Sequence, residues 1–166
     1  MYQLGDLVMY GIHGVCRIVD RVERTVDRKK VVYLVLEPQD QKASQYLVPE
    51  GNPNAMAKLR PVLSREELED LLCSEIVRED AWIAEENARK QYYRTLVNSG
   101  DRAALLQMVR TLHLHKQQQE AAGRKFHQCD EGFLRDAQRL IDSEFSLVLG
   151  IEPNDVGEYL IDRMNA

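Results

Sequence analysis

The sequence has few cysteine and aromatic residues and no long apolar run. Its three cysteines, Cys16, Cys73 and Cys129, are far apart and odd in number, which favours free thiols over a disulfide framework. No apolar run approaches the roughly 20 residues that a membrane-spanning helix needs. No basic segment followed by an apolar one marks an export signal. We therefore expect a chain that stays in the cytoplasm and does not contact a membrane.

Charge is unevenly distributed along the chain. Residues 1–63 carry nine Lys and Arg against seven Asp and Glu, a net charge of +2. Residues 64–166 carry 13 against 20, a net charge of −7. The acidic second part argues against attraction to nucleic acid through overall charge, although a small local basic patch would still attract phosphate groups.

The sequence contains no specific catalytic or metal-binding motif. No glycine-rich phosphate loop leads from a strand into a helix. Closely spaced His and Cys residues form three pairs, each without the further group that catalysis or metal binding needs: His13 with Cys16, His113 with His115, and His127 with Cys129. An enzyme that uses the first pair is the least favoured interpretation. We predict a protein that is not an enzyme and that uses no metal, no cofactor and no small-molecule substrate.

Short apolar segments predict strands in the first 63 residues. Leu7–Tyr10 runs into a turn bracketed by Gly11 and Gly14, where glycine permits positive φ, and a second strand leaves that turn at Val15. Asp20 interrupts the alternation of the second strand and predicts a bend or a strand end. Further strands are predicted over residues 31–36, 45–48 and 58–60, with turns at 27–30 and 51–54. Five short strands favour a small SH3-like or Tudor-like β-barrel over residues 1–63.

From residue 64 onward the apolar spacing becomes that of helices. Ser64 and Glu67 match the S-x-x-E capping box, so Ser64 is the predicted N-cap of the first helix. Residues 117–125 are polar and predict a loop. The later helices are predicted over residues 80–98, after a cap at Asp101, from about Asp130 to Gly150, and after Pro153. The predicted fold class is therefore α+β, with the barrel followed by an all-α helical bundle over residues 64–166.

Two features of the sequence point to binding, and the first is a basic strand face in the β-domain. Arg17, Arg21 and Arg24 supply its charge, and a small barrel also offers strand edges to which a partner can add a strand. A solvated strand face without a partner explains the same pattern.

The second feature is Trp82, the only tryptophan. On a helix over residues 80–98, Arg89 and Tyr93 share its face at i+7 and i+11. Arg89, Lys90 and Arg94 add positive charge, which suits contact with a phosphate backbone and a wedge at a base step. Two glutamates between Trp82 and Arg89 oppose this interpretation. A core anchor between helices explains Trp82 equally well, because tryptophan is highly buried on average.

Several segments carry a resemblance to a known family. They are Gly5-Asp6-Leu7-Val8-Met9-Tyr10, His13-Gly14-Val15, Tyr33-Leu34-Val35-Leu36 and Leu47-Val48-Pro49, with weaker similarity in Asn98-Ser99-Gly100-Asp101 and from Leu134 to Ile151. These segments resemble the CarD/CdnL family of bacterial transcription regulators. The same N-terminal module occurs in transcription-repair coupling factors, but this sequence contains no helicase motor.

The resemblance implies two partners. It implies that the N-terminal Tudor-like domain binds the β subunit of RNA polymerase through strand pairing and salt bridges, with Arg24, Arg21 and Leu47 as the candidate contacts. It also implies that the helical domain contacts promoter DNA at the upstream edge of the melted −10 region, where a family tryptophan wedges into the minor groove. The candidates for the DNA contact are Trp82, Arg89, Lys90 and Arg94.

Three positions depart from the family pattern. Leu47 stands where family members can carry a basic residue that faces the partner. Trp82 lies 18 residues before Gly100, about one helical turn further away than the family wedge, and direct alignment places Glu86 at the wedge position. We predict a transcription regulator that binds the polymerase β subunit and modulates the stability of the open promoter complex. The alternative is a protein–protein adaptor that binds polymerase or another partner through the barrel and does not contact DNA.

Overall fold

The computed structural model describes residues 2–40 and 43–164. The chain divides into two compact units, Met1–Val62 and Leu63–Ala166. Among the described residues, the first unit carries all five strands and the second carries the five longer helices. The predicted α+β fold class is confirmed.

Five strands form one antiparallel sheet in the order β4-β3-β2-β1-β5. One face of this sheet carries the buried core of the unit: Val8, Cys16, Ile18, Leu34, Leu36, Val48 and Leu59. The outermost strands, β4 and β5, are each paired on one side only within the described part of the chain. The strands are β1 (Leu7–Tyr10), β2 (Val15–Val26), β3 (Lys29–Pro38), β4 (Tyr46–Pro49) and β5 (Leu59–Pro61).

The corner between β1 and β2 is a single 3-10 turn, Gly11–His13. Gly11 and Gly14 have φ values of 48° and 77°, which side chains strongly disfavour. The predicted strand β1, the glycine turn and the start of β2 at Val15 are all confirmed. Of the two outcomes predicted at Asp20, the structure shows the bend and not the strand end, because the β2–β3 register shifts between Ile18 and Asp20 while β2 continues to Val26.

The hairpin between β2 and β3 is tighter than predicted. Only Asp27 and Arg28 form its turn, with φ values of 51° and 65°, whereas Lys29 and Lys30 already pair as residues of β3. The left-handed conformation costs a residue other than glycine roughly 1 kcal/mol. The predicted turn at 51–54 is likewise modified, because Asn52 caps a short helix there, α1 (Pro53–Met56).

The second unit consists of α2 (Arg65–Cys73), a 3-10 turn (Glu75–Arg78), α3 (Glu86–Ser99), α4 (Arg102–Ala121), α5 (Gln128–Leu149) and α6 (Pro153–Met164). The predicted capping box is confirmed, because the Ser64 hydroxyl accepts a hydrogen bond from Glu67 N at 3.1 Å and the Glu67 carboxylate accepts one from Ser64 N at 2.8 Å. Asp101 caps α4 through Ala104 N at 3.2 Å. None of the described helices is both long enough and apolar enough to span a bilayer.

Two helix boundaries were predicted wrongly. Helix α3 begins at Glu86 instead of residue 80, because the Glu85 carboxylate caps it by accepting hydrogen bonds from Asn87 N and Ala88 N. Helix α4 continues to Ala121 through the polar residues predicted as a loop. Straight-chain Gln, Lys and Glu are good helix formers, so the missing apolar stripe did not end the helix.

A buried carboxylate joins the start of the second unit to its core. The Glu144 side chain is 1% exposed and accepts hydrogen bonds from Arg102 Nε at 2.7 Å and Nη2 at 2.6 Å. It also accepts one from Leu63 N at 3.0 Å. These three donors compensate the cost of burying the charge. They hold Leu63, α4 and α5 together.

Candidate functional site

The sheet register places Arg24 and Leu47 on the same face. Residues paired directly across antiparallel strands point to the same side of a sheet, and side chains alternate along each strand. Arg24 pairs with Val31, and Leu47 pairs with Val35. Val31 and Val35 are an even number of residues apart on β3, so their side chains point to the same face. The core lies on the opposite side, so Arg24 and Leu47 belong to the outer face of the sheet.

The outer face combines apolar side chains with exposed cations. Val26 is 43% exposed and Leu47 is 39% exposed, and Val31 and Tyr33 are half-buried. Arg24 is exposed, and its guanidinium makes no ion pair with any residue in the described ranges. An apolar surface with an accessible guanidinium is the composition of many protein-binding patches.

Arg21 lies on the other side of the sheet from Arg24 and Leu47. It pairs with Leu34, which belongs to the core face. Its Nε and Nη2 atoms donate to the Glu50 carboxylate at 3.1 and 2.9 Å, and Nη2 also donates to the Tyr2 carbonyl at 3.3 Å. The structure therefore places two of the three predicted polymerase contacts on one face of the sheet and gives Arg21 partners within its own domain.

The edge of β4 at Leu47 pairs with no other strand of the described residues. Glu50 N donates to Val32 O at 2.9 Å, so the alternation of an antiparallel ladder directs the backbone groups of Val48 toward β3 and those of Leu47 away from it. Pro49 has no N–H to offer at this edge. A partner strand can therefore pair with the backbone of β4 around Leu47, whose side chain projects from the adjoining outer face.

Trp82 lies in the extended segment before α3 and not on the helix. The prediction that a helix places Trp82, Arg89 and Tyr93 on one face is therefore wrong. The half-buried indole instead stacks on His115, with ring centroids 3.5 Å apart and planes 18° apart. The Arg89 guanidinium carbon lies 4.3 Å from the Trp82 ring centroid. The two planar groups together fix the orientation of the indole.

The Arg89 side chain is buried and donates its hydrogen bonds within the domain. It is 5% exposed and donates through Nε and Nη2 to the Asp130 carboxylate at 2.9 and 3.0 Å. Its Nη1 donates to the carbonyls of Ile83 and Ala84 at 3.0 and 3.4 Å. The predicted direct contact with DNA is corrected to a positioning role, because the guanidinium is buried and its hydrogen bonds are made to groups within the domain.

Lys90 and Arg94 lie one turn apart on α3 and differ in their surroundings. The Lys90 ammonium is 2.9 Å from the Glu86 carboxylate, and this hydrogen bond lowers the pKa of Glu86 and raises the pKa of Lys90. The same Glu86 carboxylate is 3.0 Å from the His127 ring. Arg94 is exposed. Of the four predicted DNA contacts, Arg94 is thus the most accessible cation.

The His13 and Cys16 pair has the wrong environment for a nucleophile. Cys16 is fully buried, and burial raises the pKa of its thiol to about 11. The His13 ring packs against Tyr10 and Tyr46, with centroids 5.2 and 4.3 Å apart. A thiol with so high a pKa carries almost no thiolate at neutral pH.

The other two His and Cys pairs have structural environments. His115 stacks on Trp82, and His127 caps α5 by accepting a hydrogen bond from Cys129 N at 3.3 Å. Within residues 2–40 and 43–164, no group of three or more His, Cys, Asp or Glu side chains is arranged to hold a metal ion.

The comparison with protein families concerns the first unit. Residues 2–63 match the model of the CarD-like/TRCF RID domain. The N-terminal domain belongs to this family. The resemblance predicted from the sequence is thereby confirmed for this domain, and the chain carries a domain of an RNA polymerase-interacting family. The search of curated proteins gives no match to the chain.

Sequence reasoning missed three residues that organise the helical unit. Asp130 was assigned only to a helix start, Glu144 was not singled out, and His115 was considered only as a metal ligand. Asp130 and Glu144 occupy otherwise apolar helix faces, beside Leu134 and Phe145 respectively. A charge at a core position is the signal for a buried partner.

Proposed function

We propose that this chain binds the β subunit of RNA polymerase through the outer face of its RID domain and the adjacent edge of β4. The single observation that carries the proposal is that Arg24 and Leu47 share this exposed face although they lie 23 positions apart in the sequence. The open backbone groups of Leu47 provide for strand pairing, and the accessible Arg24 guanidinium provides for a salt bridge. Arg21 supports the domain from the opposite face.

We also propose that the helical unit contacts promoter DNA near the −10 element. The half-exposed Trp82, held by His115 and Arg89, supplies an aromatic surface, and Lys90 and Arg94 supply positive charge. A protein that contacts the open complex better than the closed one shifts that equilibrium by no more than its differential affinity. On this basis the chain modulates the stability of the open complex. It does so as a binding protein, not as an enzyme, and it needs no cofactor. It acts in the cytoplasm, where polymerase and promoter lie.

A protein–protein adaptor is the second candidate function. It is favoured by the net charge of −7 over residues 64–166 and by Glu86, which stands at the family's wedge position. In this alternative the RID domain still binds polymerase, while the helical unit recruits a second protein and makes no contact with DNA.

Capture of the full chain by purified polymerase tests the first proposal. Leu47→Asp places a carboxylate on the outer face and should weaken capture by at least about tenfold, because it adds an uncompensated charge to an apolar contact. Lys58→Asp, on an exposed residue before β5, is the matched control and should bind like the unaltered chain. Equal binding by all three proteins would remove the outer face from the interface.

Fluorescence of the single tryptophan distinguishes the two roles of the helical unit. Addition of a promoter fork with an open −10 edge should quench Trp82 emission, and Arg94→Glu should weaken this response more than Arg135→Glu on α5. An emission that no fork changes, together with intact polymerase capture, would favour the adaptor.

A further inference from the structure

The β2–β3 hairpin extends beyond the rest of the sheet. Strand β1 pairs with β2 only as far as Arg17, and β4 pairs with β3 only from Tyr33 onward. The β2–β3 ladder continues to the Val26–Lys29 pair. Residues 24–31 therefore form a two-stranded ribbon that pairs with no third strand of the described residues.

The end of this ribbon is an exposed basic segment. The hairpin tip, residues 27–30, has the sequence Asp-Arg-Lys-Lys, and all four residues are exposed. Lys30 lies 3.6 Å from Glu23, whereas Arg28 and Lys29 have no ion pair within the described ranges. The tip thus presents a net charge of +2 on a molecule whose net charge is −5.

Arg28 occupies a backbone conformation that does not suit it. Its φ of 65° lies in the left-handed region, and two-residue hairpin turns with positive φ at both positions strongly prefer Asn-Gly or Asp-Gly. Asp27 fits the first position of such a turn, but glycine and not arginine fits the second. Backbone strain of this kind, observed at an exposed position, suggests that the side chain serves a purpose other than folding.

We propose that the hairpin tip is a nucleic-acid contact that binds the phosphate backbone of duplex DNA and is separate from Trp82. The dimensions and the charge agree with this partner. A two-stranded ribbon fits into the major groove, which is about 12 Å wide, so the tip can reach the phosphates that border the groove.

Electrostatics favours this tip over helix α3 for sequence-independent contact. Phosphate contacts depend on local cations, and residues 64–166 carry a net charge of −7. On α3, Lys90 is paired with Glu86 and Arg89 with Asp130. The hairpin tip has two cations without such partners in the described part of the chain.

Two substitutions separate DNA binding from turn stability. Arg28→Gly removes the cation and supplies the residue that the turn favours, whereas Asp27→Asn removes the anion and retains a residue suited to its position. The probe is a fluorescein-labelled 20-base-pair duplex without promoter sequence, titrated with the full chain at about 50 and 200 mM salt. Arg28→Gly should weaken binding by about 3- to 10-fold and reduce the log–log salt slope by roughly 0.9, without lowering the melting temperature. Asp27→Asn should strengthen binding.

Arg28→Gly and Asp27→Asn are also measured in polymerase capture. Arg94→Glu is titrated with the same duplex for comparison. The proposal is supported if the tip variants change duplex affinity while polymerase capture stays constant. It is overturned if Arg28→Gly leaves duplex affinity unchanged, or if the tip variants weaken only polymerase capture, which would assign the tip to an acidic protein surface. Leu47→Asp should lose polymerase binding and keep its affinity for the duplex. This result would show that the tip binds DNA independently of the proposed polymerase contact.

Discussion

A buried ion pair holds the aromatic site of the helical unit in place. Arg89 gives two donors to the Asp130 carboxylate and lies against the Trp82 ring. The side chains of Arg89 and Asp130 are 6% and 1% exposed. Removing one partner leaves the other charge buried and uncompensated, which costs more than the intact pair contributes to stability.

Asp130→Ala should therefore destabilise the chain strongly. We expect the free energy of unfolding to fall by about 3–5 kcal/mol in urea denaturation, and the native Trp82 emission to shift to longer wavelength as Arg89 is released. Glu86→Ala, which removes an exposed carboxylate from the same region, should leave stability nearly unchanged, because solvent screens exposed ion pairs. A loss below about 1 kcal/mol for Asp130→Ala would contradict the positioning role of Arg89.

The buried Cys16 thiol makes stability depend on pH in the alkaline range. Burial raises its pKa from 9.0 to about 11. The thiol therefore contributes stability that is fully present below pH 9 and is lost as the pH rises from about 9 to 11, because only the unfolded chain ionises there. The full effect is roughly 2–3 kcal/mol.

The measurement is the pH dependence of urea unfolding for the unaltered chain and for Cys16→Ala. The unaltered chain should lose more stability between pH 8.5 and 11 than the variant, although the variant is less stable at neutral pH because of the cavity. Thiol labelling at pH 7 should be fast at exposed Cys73 and Cys129 and slow at Cys16. Parallel pH curves for the two proteins would refute the raised pKa.

At the scale of elements, the ends of helices decide much of the local structure. The reciprocal hydrogen bonds of Ser64 and Glu67 satisfy two backbone donors at the start of α2. Ser64→Ala should lower the free energy of unfolding by about 1 kcal/mol.

Ser74, at the other end of α2, makes no capping hydrogen bond through its side chain. Ser74→Ala is therefore the matched control in the same urea denaturation series, and it should leave stability nearly unchanged. An equal loss in both variants would indicate a general effect of removing a hydroxyl and not the loss of a cap.

Local signals predicted elements well where the residues satisfy their own backbone. Gly11 and Gly14, Ser64 and Asp101 identified their turn and caps because each interaction involves residues at most four positions apart. The start of α3 was missed because Glu85 is an uncommon N-cap and because residues before it are held by long-range bonds. Ala81 N donates to Thr111 Oγ1 at 3.0 Å, and Tyr93 Oη donates to Ala81 O at 3.2 Å. Such contacts have no signature in a short window of sequence.

At the scale of the whole molecule, the candidate sites followed from the sequence only in part. The family resemblance selected Arg24 and Leu47, and the sheet register then placed them on one face. Arg89 was predicted as a DNA contact because its charge is evident in the sequence, whereas its partner Asp130 lies 41 positions away. The direction of a charged side chain depends on such distant partners, so it required the structure.

Polymerase affinity of the Arg24→Glu variant is the most direct test of the central claim, that the outer face of the RID domain binds the polymerase β subunit. Arg24 is exposed and has no ion pair among the described residues, so the variant should keep its melting temperature within a few degrees. Its affinity for core polymerase should fall by about tenfold or more, because one charge-assisted contact becomes repulsive. Lys58→Glu should bind normally. Unchanged affinity of a folded Arg24→Glu chain would contradict the account.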